Sequence, residues 1–175
     1  MKHTTPTSQR QDRFLAFYDA TFTEAYRYAG RLCGSDRDAA EDLVQEAYTA
    51  VLRQFRADAD RDLQIGYVIT TIRHRFLDRL RRAESEARRL RLVAVTDGAS
   101  ESESESEAGS DLPDTTLTSH LAGLPERDRA ALVLRYVDDL PVPDVAEALG
   151  LSVHATESLL VRARARLRGK DIRHA

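Results

Sequence analysis

The run Ser100-Glu101-Ser102-Glu103-Ser104-Glu105-Ser106-Glu107 alternates serine and glutamate and contains no apolar residue. Such a run cannot bury surface to offset the entropy of ordering, so it is expected to be disordered. It divides the 175-residue chain into two flanks, and each flank carries apolar residues at helical spacing. The fold class expected is all-α: two small helical domains joined by a disordered acidic linker. The boundaries expected are a flexible tail at 1–11, a first domain at 12–83, the linker at 84–114 and a second domain at 115–175.

Charge follows the same division. The formal net charge is −3, which by itself argues against a nucleic-acid partner. Residues 84–114 carry a net of −6, whereas residues 1–83 carry +2 and residues 115–175 carry +1. Within the flanks, residues 65–82 hold five arginines and one aspartate, and residues 162–175 hold five arginines, one lysine and one aspartate. Two basic stretches separated by an acidic spacer fit nucleic-acid binding by the flanks. The spacer is then either a plain solvated tether or an acidic mimic that competes with DNA for them.

Other classes are excluded more directly. No apolar run approaches the roughly 20 residues needed to span a bilayer, so no membrane insertion is expected. Met1-Lys2-His3-Thr4-Thr5-Pro6 lacks the apolar core of an export signal, which points to a cytoplasmic protein. The single cysteine, Cys33, rules out an internal disulfide framework and a cysteine-cluster metal site. It is expected to pack within a helix. No glycine-rich phosphate loop, metal-ligand cluster or nucleophile arrangement is visible. The expectation is therefore no catalytic residue, no metal, no cofactor and no enzyme activity.

In the first flank, Phe14, Phe17, Tyr18, Phe22, Ala25, Tyr28, Ala29 and Leu32 predict a helix over 12–33. Gly34 ends it, and Ser35 or Asp36 caps the next. Over 38–55, Ala40, Leu43, Val44, Ala47, Val51 and Phe55 share one face, while Asp38, Asp42, Gln45, Glu46, Thr49 and Arg53 share the other. That second face is either plain solvated surface or a docking site for a basic partner. Residues 56–64 read as a polar loop containing Arg61. Over 65–82, Ile65, Ile69, Ile72, Phe76 and Leu80 are expected to be buried. Tyr67, Thr70, Thr71, His74, Asp78 and Arg81 then face away, flanked by arginines 73, 75, 79 and 82. A ring, hydroxyls, an imidazole and guanidinium groups on one face suit single-stranded nucleic acid, through base stacking and phosphate contacts. The short patch Leu90-Arg91-Leu92-Val93-Ala94-Val95 either frays from this helix or docks on a partner.

In the second flank, Leu124-Pro125-Glu126-Arg127-Asp128-Arg129 opens a helix with proline in its first turn. Asp138-Asp139-Leu140-Pro141 breaks it. A short helix over Val142–Leu149, a turn at Gly150 and a helix from about Val153 to Arg168, capped by Ser152, form a helix-turn-helix. Thr156, Leu159, Leu160, Ala163 and Leu167 are expected to be buried. His154, Ser158, Val161 and Ala165 lie opposite, with Glu157, Arg162 and Arg168 beside them. Small side chains there let the backbone approach DNA, polar tips reach base edges and arginines reach phosphates.

Four motifs stand in order: Ala40-Glu41-Asp42-Leu43-Val44-Gln45-Glu46, Ile72-Arg73-His74-Arg75-Phe76-Leu77-Asp78-Arg79-Leu80-Arg81-Arg82, Leu124-Pro125-Glu126-Arg127-Asp128-Arg129 and Arg162-Ala163-Arg164-Ala165-Arg166-Leu167. With this spacing the chain resembles the extracytoplasmic-function sigma factors, small two-domain initiation subunits of bacterial RNA polymerase. The resemblance covers residues 12–83 and 115–170. It implies that the first domain binds the clamp helices of the largest polymerase subunit through Asp42, Gln45, Glu46 and Thr49. It further implies that Arg61, Tyr67, Thr70, Arg73, His74 and Arg81 melt and read the −10 promoter element. Ser152, His154, Glu157, Ser158, Val161 and Arg162 would read the −35 element in the major groove, beside the polymerase flap. The linker would thread near the RNA exit path, and an anti-sigma factor would hold the protein inactive.

The chain departs from the family pattern at several points. Tyr67 stands where a tryptophan commonly opens the −10 helix, and His74 where an asparagine is common. Glu157 and Leu159 stand where lysine or arginine is frequent. Glutamate can accept a hydrogen bond from cytosine but weakens phosphate affinity, so intrinsic DNA binding is expected to be weak without polymerase. A stand-alone helix-turn-helix regulator is the competing reading. Such a regulator has no need of the basic, aromatic-bearing helix 65–82.

Overall fold

The computed structural model describes residues 6–57, 63–94 and 115–171, with side chains over 11–57, 63–91 and 117–169. Among them the chain is helical, with no strand. In the first flank α1 spans Pro6–Cys33, α2 Arg37–Ala57 and α3 Ile65–Ala94; in the second, α4 spans Thr115–Ala122, α5 Glu126–Leu132, α6 Val142–Leu149 and α7 Val153–Asp171. The Ser-Glu run lies outside the described residues. So do most of the 56–64 loop and Arg61.

Helix boundaries move from those expected. The first helix begins at Pro6, inside the stretch read as a tail, because proline lacks only an N–H that a first helical position leaves unused. Of the two candidate caps for α2, Asp36 serves: its Oδ1 accepts from the Ala39 N–H at 2.9 Å. The third helix runs through Ala94, so the start of the segment read as linker is helical. Residues 83–91 there contain neither glycine nor proline, and their side chains are mostly exposed, Leu90 included. The helix thus projects from the body on intrinsic propensity. The short helix α4 lies where the sequence pattern predicts no helix; it contributes Leu121 to the core and packs on α1 and α7.

The first three helices form a bundle around Ala25, Leu32, Leu43, Ala47, Val51, Val68, Ile72 and Phe76, all buried. On α3, Val68 and Leu77 join Ile72, Phe76 and Leu80 in the core, whereas Ile65 and Ile69 are only half-buried. The second unit closes around Leu124, Ala131, Leu134, Val145, Leu149, Leu159, Leu160 and Ala163. On α7 the expected buried stripe is observed, with Leu167 half-buried.

The two units are docked on each other. The second helix pair to meet, α4 and α5, rests on α1, while α6 touches α3, and the buried residues connect into one core. Packing between the units is thinner than packing within either. At the junction Arg129 is almost fully buried. Its Nε donates to the carbonyl of Leu32 at 2.6 Å and its Nη1 to that of Leu124 at 3.2 Å. Burial lowers the Arg129 pKa, opposed by the charges of Glu126 and Asp36. The group stays cationic and satisfies an end carbonyl of α1 that has no partner inside the helix. Nearby, burial pushes the Cys33 thiol up to about 12. It therefore carries no thiolate at neutral pH, in keeping with a packing role.

The last turn of α5 widens into a π-helical segment, Val133–Val137. The Asp138 N–H donates to the Val133 carbonyl at 3.0 Å and the Leu140 N–H to that of Leu134 at 3.1 Å. The wider turn continues the buried run of α5 through Val133 and Leu134, and Asp138, at its end, has its side chain turned inward. Asp139 then adopts a left-handed φ of 52°, which aspartate tolerates better than most residues.

Gly34 has φ +68°, and a Cβ there would lie 2.7 Å from Arg129 Nη1 and 3.0 Å from Ala122 Cα. Gly150 has φ +64° with open space around it. Replacing either by alanine costs about 1 kcal/mol of backbone strain. Only Gly34→Ala should also disturb the junction. In urea titrations Gly34→Ala is therefore expected to lose more stability than Gly150→Ala.

Candidate polymerase and nucleic-acid interfaces

The exposed side of α2 presents Asp42, Gln45 and Thr49, with Glu46 half-buried. The Thr49 hydroxyl donates to the Gln45 carbonyl at 2.8 Å, four residues back, so its hydrogen is spent on its own helix and its oxygen is left to accept. Glu46 is drawn toward α3: Arg79 Nη2 lies 2.6 Å from its Oε1 and Arg75 Nε 3.6 Å from its Oε2. Arg79 also sits 3.9 Å from Asp42. These partly exposed pairs add little stability, but they hold the carboxylates in a fixed arrangement. Asp42 and Gln45 remain the most outward members of the set.

Beside them runs a groove between α1 and α2, of about 680 Å³, which sequence reasoning did not isolate. Phe14, Tyr18, Phe22, Tyr26 and Tyr48 line it, and Asp38, Glu41, Asp42 and Gln45 stand on its rim. Its rings are mutually packed: Tyr18 and Tyr48 centroids are 4.6 Å apart with their planes inclined at 60°, and Phe22 stacks on Tyr26 at 5.8 Å. Tyr48 shares a 2.8 Å hydrogen bond with Thr21. Burial raises its pKa despite that bond. The aromatic spacing of α1 is legible in the sequence as a helix signal, which does not distinguish a buried ring from a groove-lining one. Only the packing of α2 shows that one edge of these rings stays open.

The α3 candidates do not form one open face. Tyr67 and Thr70 are half-buried, with Tyr67 packed against the core. Thr71 donates back to the Tyr67 carbonyl at 2.7 Å. His74 is exposed. Arg73 donates to Asp138 Oδ2 at 3.2 Å and Arg81 to the Ala148 carbonyl at 2.7 Å, both in the second unit. Two of the six residues expected to read the −10 element are therefore engaged by the helix-turn-helix unit.

The candidates on α7 do come together. Val142–Leu149, the left-handed Gly150 and Val153–Asp171 make a helix-turn-helix, in which the Leu151 N–H donates to the Ala146 carbonyl at 2.9 Å. Ser152 acts as the cap: its Oγ accepts from the Ala155 N–H at 3.2 Å, so this oxygen orients the helix. His154, Glu157, Ser158, Val161 and Arg162 form one contiguous exposed patch. Val161 exposes more than half of its surface. Asp128 pairs with Arg166 on the side of α7 away from this patch, fixing α7 against α5.

Residues 17–86 match the family Sigma-70 region 2, and residues 116–167 match Sigma-70, region 4. The chain belongs to the extracytoplasmic-function sigma-70 family. It is 27% identical to the ECF RNA polymerase sigma factor SigW of Bacillus subtilis, over 90% of this chain and 88% of that one. It is 24% identical to the ECF RNA polymerase sigma factor SigM of the same organism, over 86% and 90% respectively. A solved structure, the sigma factor RpoE in complex with the anti-sigma factor NepR from Bartonella quintana, aligns at 23% identity with a TM-score of 0.48. That alignment covers 90% of this chain and 95% of that one.

As a sigma-70 family member the chain is a transcription initiation factor. Region 2 of this sigma factor corresponds to the α1–α3 bundle and region 4 to α4–α7. Among the described residues no group of histidine, cysteine, aspartate or glutamate could hold a metal ion. No described helix is long and apolar enough to cross a membrane. Three residues of consequence were missed in the sequence. The sequence pattern gives Arg129 no role, places Asp138 in the helix-breaking Asp138-Asp139-Leu140-Pro141 and gives Tyr28 only a position at helical spacing. The cap at Ser152 carries a direct consequence. Ser152→Ala should lower the stability of the chain by about 1 kcal/mol, and Ser152→Asp should restore it; urea titration followed by circular dichroism checks both.

Proposed function

We propose that this sigma factor binds core RNA polymerase through the outer side of α2 and directs it to promoters by reading a −10 element with α3 and a −35 element with α7. The observation that carries the reading is the contiguous patch of His154, Glu157, Ser158, Val161 and Arg162 on the second helix of a helix-turn-helix. Its small central side chains permit close approach to a major groove, and its polar ends can meet base edges. The groove between α1 and α2 supports the polymerase assignment. An aromatic floor with an acidic rim suits a basic amphipathic helix such as a clamp helix supplies. Asp42 and Gln45 stand on that rim. Family membership supports an anti-sigma factor as a further partner.

Core polymerase supplemented with this chain should start transcripts from cognate promoters in a genomic run-off screen. An active core that yields no transcript from any promoter would sink the reading. Asp42→Ala combined with Gln45→Ala should weaken core association about fivefold or more, as truncation of central contacts commonly does; a pull-down titration measures it. His154→Ala or Ser158→Ala should change the preferred −35 sequence and leave core affinity as it was. A variant with the parental promoter profile would remove these residues from base reading.

A further inference from the structure

A polar cleft of about 390 Å³ lies between α2 and α3. Arg53 reaches it from α2, and Arg75, Arg79 and Arg82 from α3. Glu46 and Asp78 share its lining. Four guanidiniums against two carboxylates leave an excess of two positive charges. The α3 residues assigned above to the −10 element do not line it. The carboxylates do not use up these cations. Glu46 is shared by Arg79 at 2.6 Å and Arg75 at 3.6 Å, so one negative charge faces two positive ones. Arg79 meets Asp42 only at 3.9 Å. Asp78 is drawn toward Arg81, outside the cleft, at 3.3 Å. Arg53 and Arg82 are exposed, and among the described residues neither guanidinium has an ion pair or a hydrogen bond.

The spacing of the arginines selects the anion. Arg75, Arg79 and Arg82 stand at i, i+4 and i+7 on one side of α3, so their Cα atoms climb about 10 Å along the axis at about 1.5 Å per residue. A single phosphate group meets all three only if the outer side chains fold inward over it. Linked phosphate groups meet them in place, each against a planar fork of N–H donors. Arg53 closes the site from α2, and the Gln45 amide adds neutral donors. The ion pairs of Glu46 are partly exposed and weak, so a more highly charged anion can displace its carboxylate. A nucleic-acid strand is the other source of phosphates in series. The lining disfavours it, because it holds no aromatic ring on which a base could stack.

We propose that the cleft between α2 and α3 binds a small oligophosphate, an anion with two or more linked phosphate groups, through Arg53, Arg75, Arg79 and Arg82. Arg53 and Arg82 supply forks that no carboxylate of the protein occupies. Arg75 and Arg79 exchange part of their contact with Glu46 for the ligand. The site uses both helices of one bundle, so it exists in the free chain and needs neither polymerase nor promoter DNA.

Isothermal titration calorimetry of the full chain with sodium pyrophosphate, tripolyphosphate and inorganic phosphate, at one low ionic strength, tests the site. Pyrophosphate and tripolyphosphate are expected to bind one to one, and inorganic phosphate about tenfold more weakly. Arg53→Ala combined with Arg82→Ala should weaken tripolyphosphate about tenfold. Arg88→Ala combined with Arg89→Ala removes the same charge from an exposed part of α3 outside the cleft and should change affinity less than about twofold. Equal weakening by the two pairs means a diffuse positive field and overturns the site. No saturable binding, or inorganic phosphate held as tightly as pyrophosphate, overturns it as well. Fluorescence anisotropy with a short, labelled, random-sequence single-stranded DNA separates the two sources of phosphate. If Arg53→Ala with Arg82→Ala weakens this DNA and leaves tripolyphosphate unchanged, the cleft belongs to nucleic acid and the proposal falls. Should that variant lose helix content by circular dichroism, Arg53→Lys with Arg82→Lys keeps the charge and removes the forks. It should weaken tripolyphosphate about threefold, and an unchanged affinity overturns the proposal equally.

Discussion

The arrangement of this protein depends on a buried guanidinium. Arg129 is carried by the second unit but satisfies the carbonyl of Leu32, at the end of a helix in the first. A helix end leaves carbonyls without intrahelical partners, and a buried one must find a donor. Arg129 supplies it and in turn escapes the cost of a buried, unsolvated cation. Gly34 makes room, since a side chain at that position would collide with the arginine. The seated Arg129 ties the start of α5 to the end of α1. The π-helical turn that follows then delivers Asp138 to Tyr28 and Arg73.

Apolar and polar contacts have different roles in that docking. A fully buried leucine contributes about 1.5–3 kcal/mol, whereas exposed ion pairs contribute about 0–1 kcal/mol. The connected core around Leu32, Leu121, Leu124 and Leu134 therefore supplies most of the stability. The Asp138, Arg81 and Arg127 contacts select which faces meet. The helix-turn-helix patch on α7 and the groove between α1 and α2 stay exposed in the docked chain. The arginine-bearing side of α3 is the one engaged, which sets it apart from the other two surfaces.

This pairing gives the near-neutral charge a structural reading. From sequence, weak intrinsic DNA affinity follows from the small positive excess of each flank and from Glu157. In the structure, Arg73, Arg75, Arg79 and Arg81 each lie against a carboxylate or a carbonyl of the protein itself. Much of the apparent basic stretch is already neutralised internally. Charge counted along a chain overstates the field it presents when its arginines have partners on neighbouring helices.

Local rules determined a great deal. Helical periodicity and the turn residues Gly34 and Gly150 placed α1, α2, α6 and α7 to within a few residues, apart from the early start of α1 at Pro6. The period of 3.6 also placed every α7 candidate on one exposed side, because that patch lies within a single helix and needs no knowledge of its neighbours. Sequence was silent where the answer depends on another element. Tyr67 and Ile69 share the boundary of a helix whose burial is set by what packs on it. Asp138 looks like a helix breaker until a π-turn directs it inward. Tyr28 and Arg73 lie 110 and 65 positions from it. Contacts across such separations are chosen by the docking of whole helices, so only the tertiary structure could decide them.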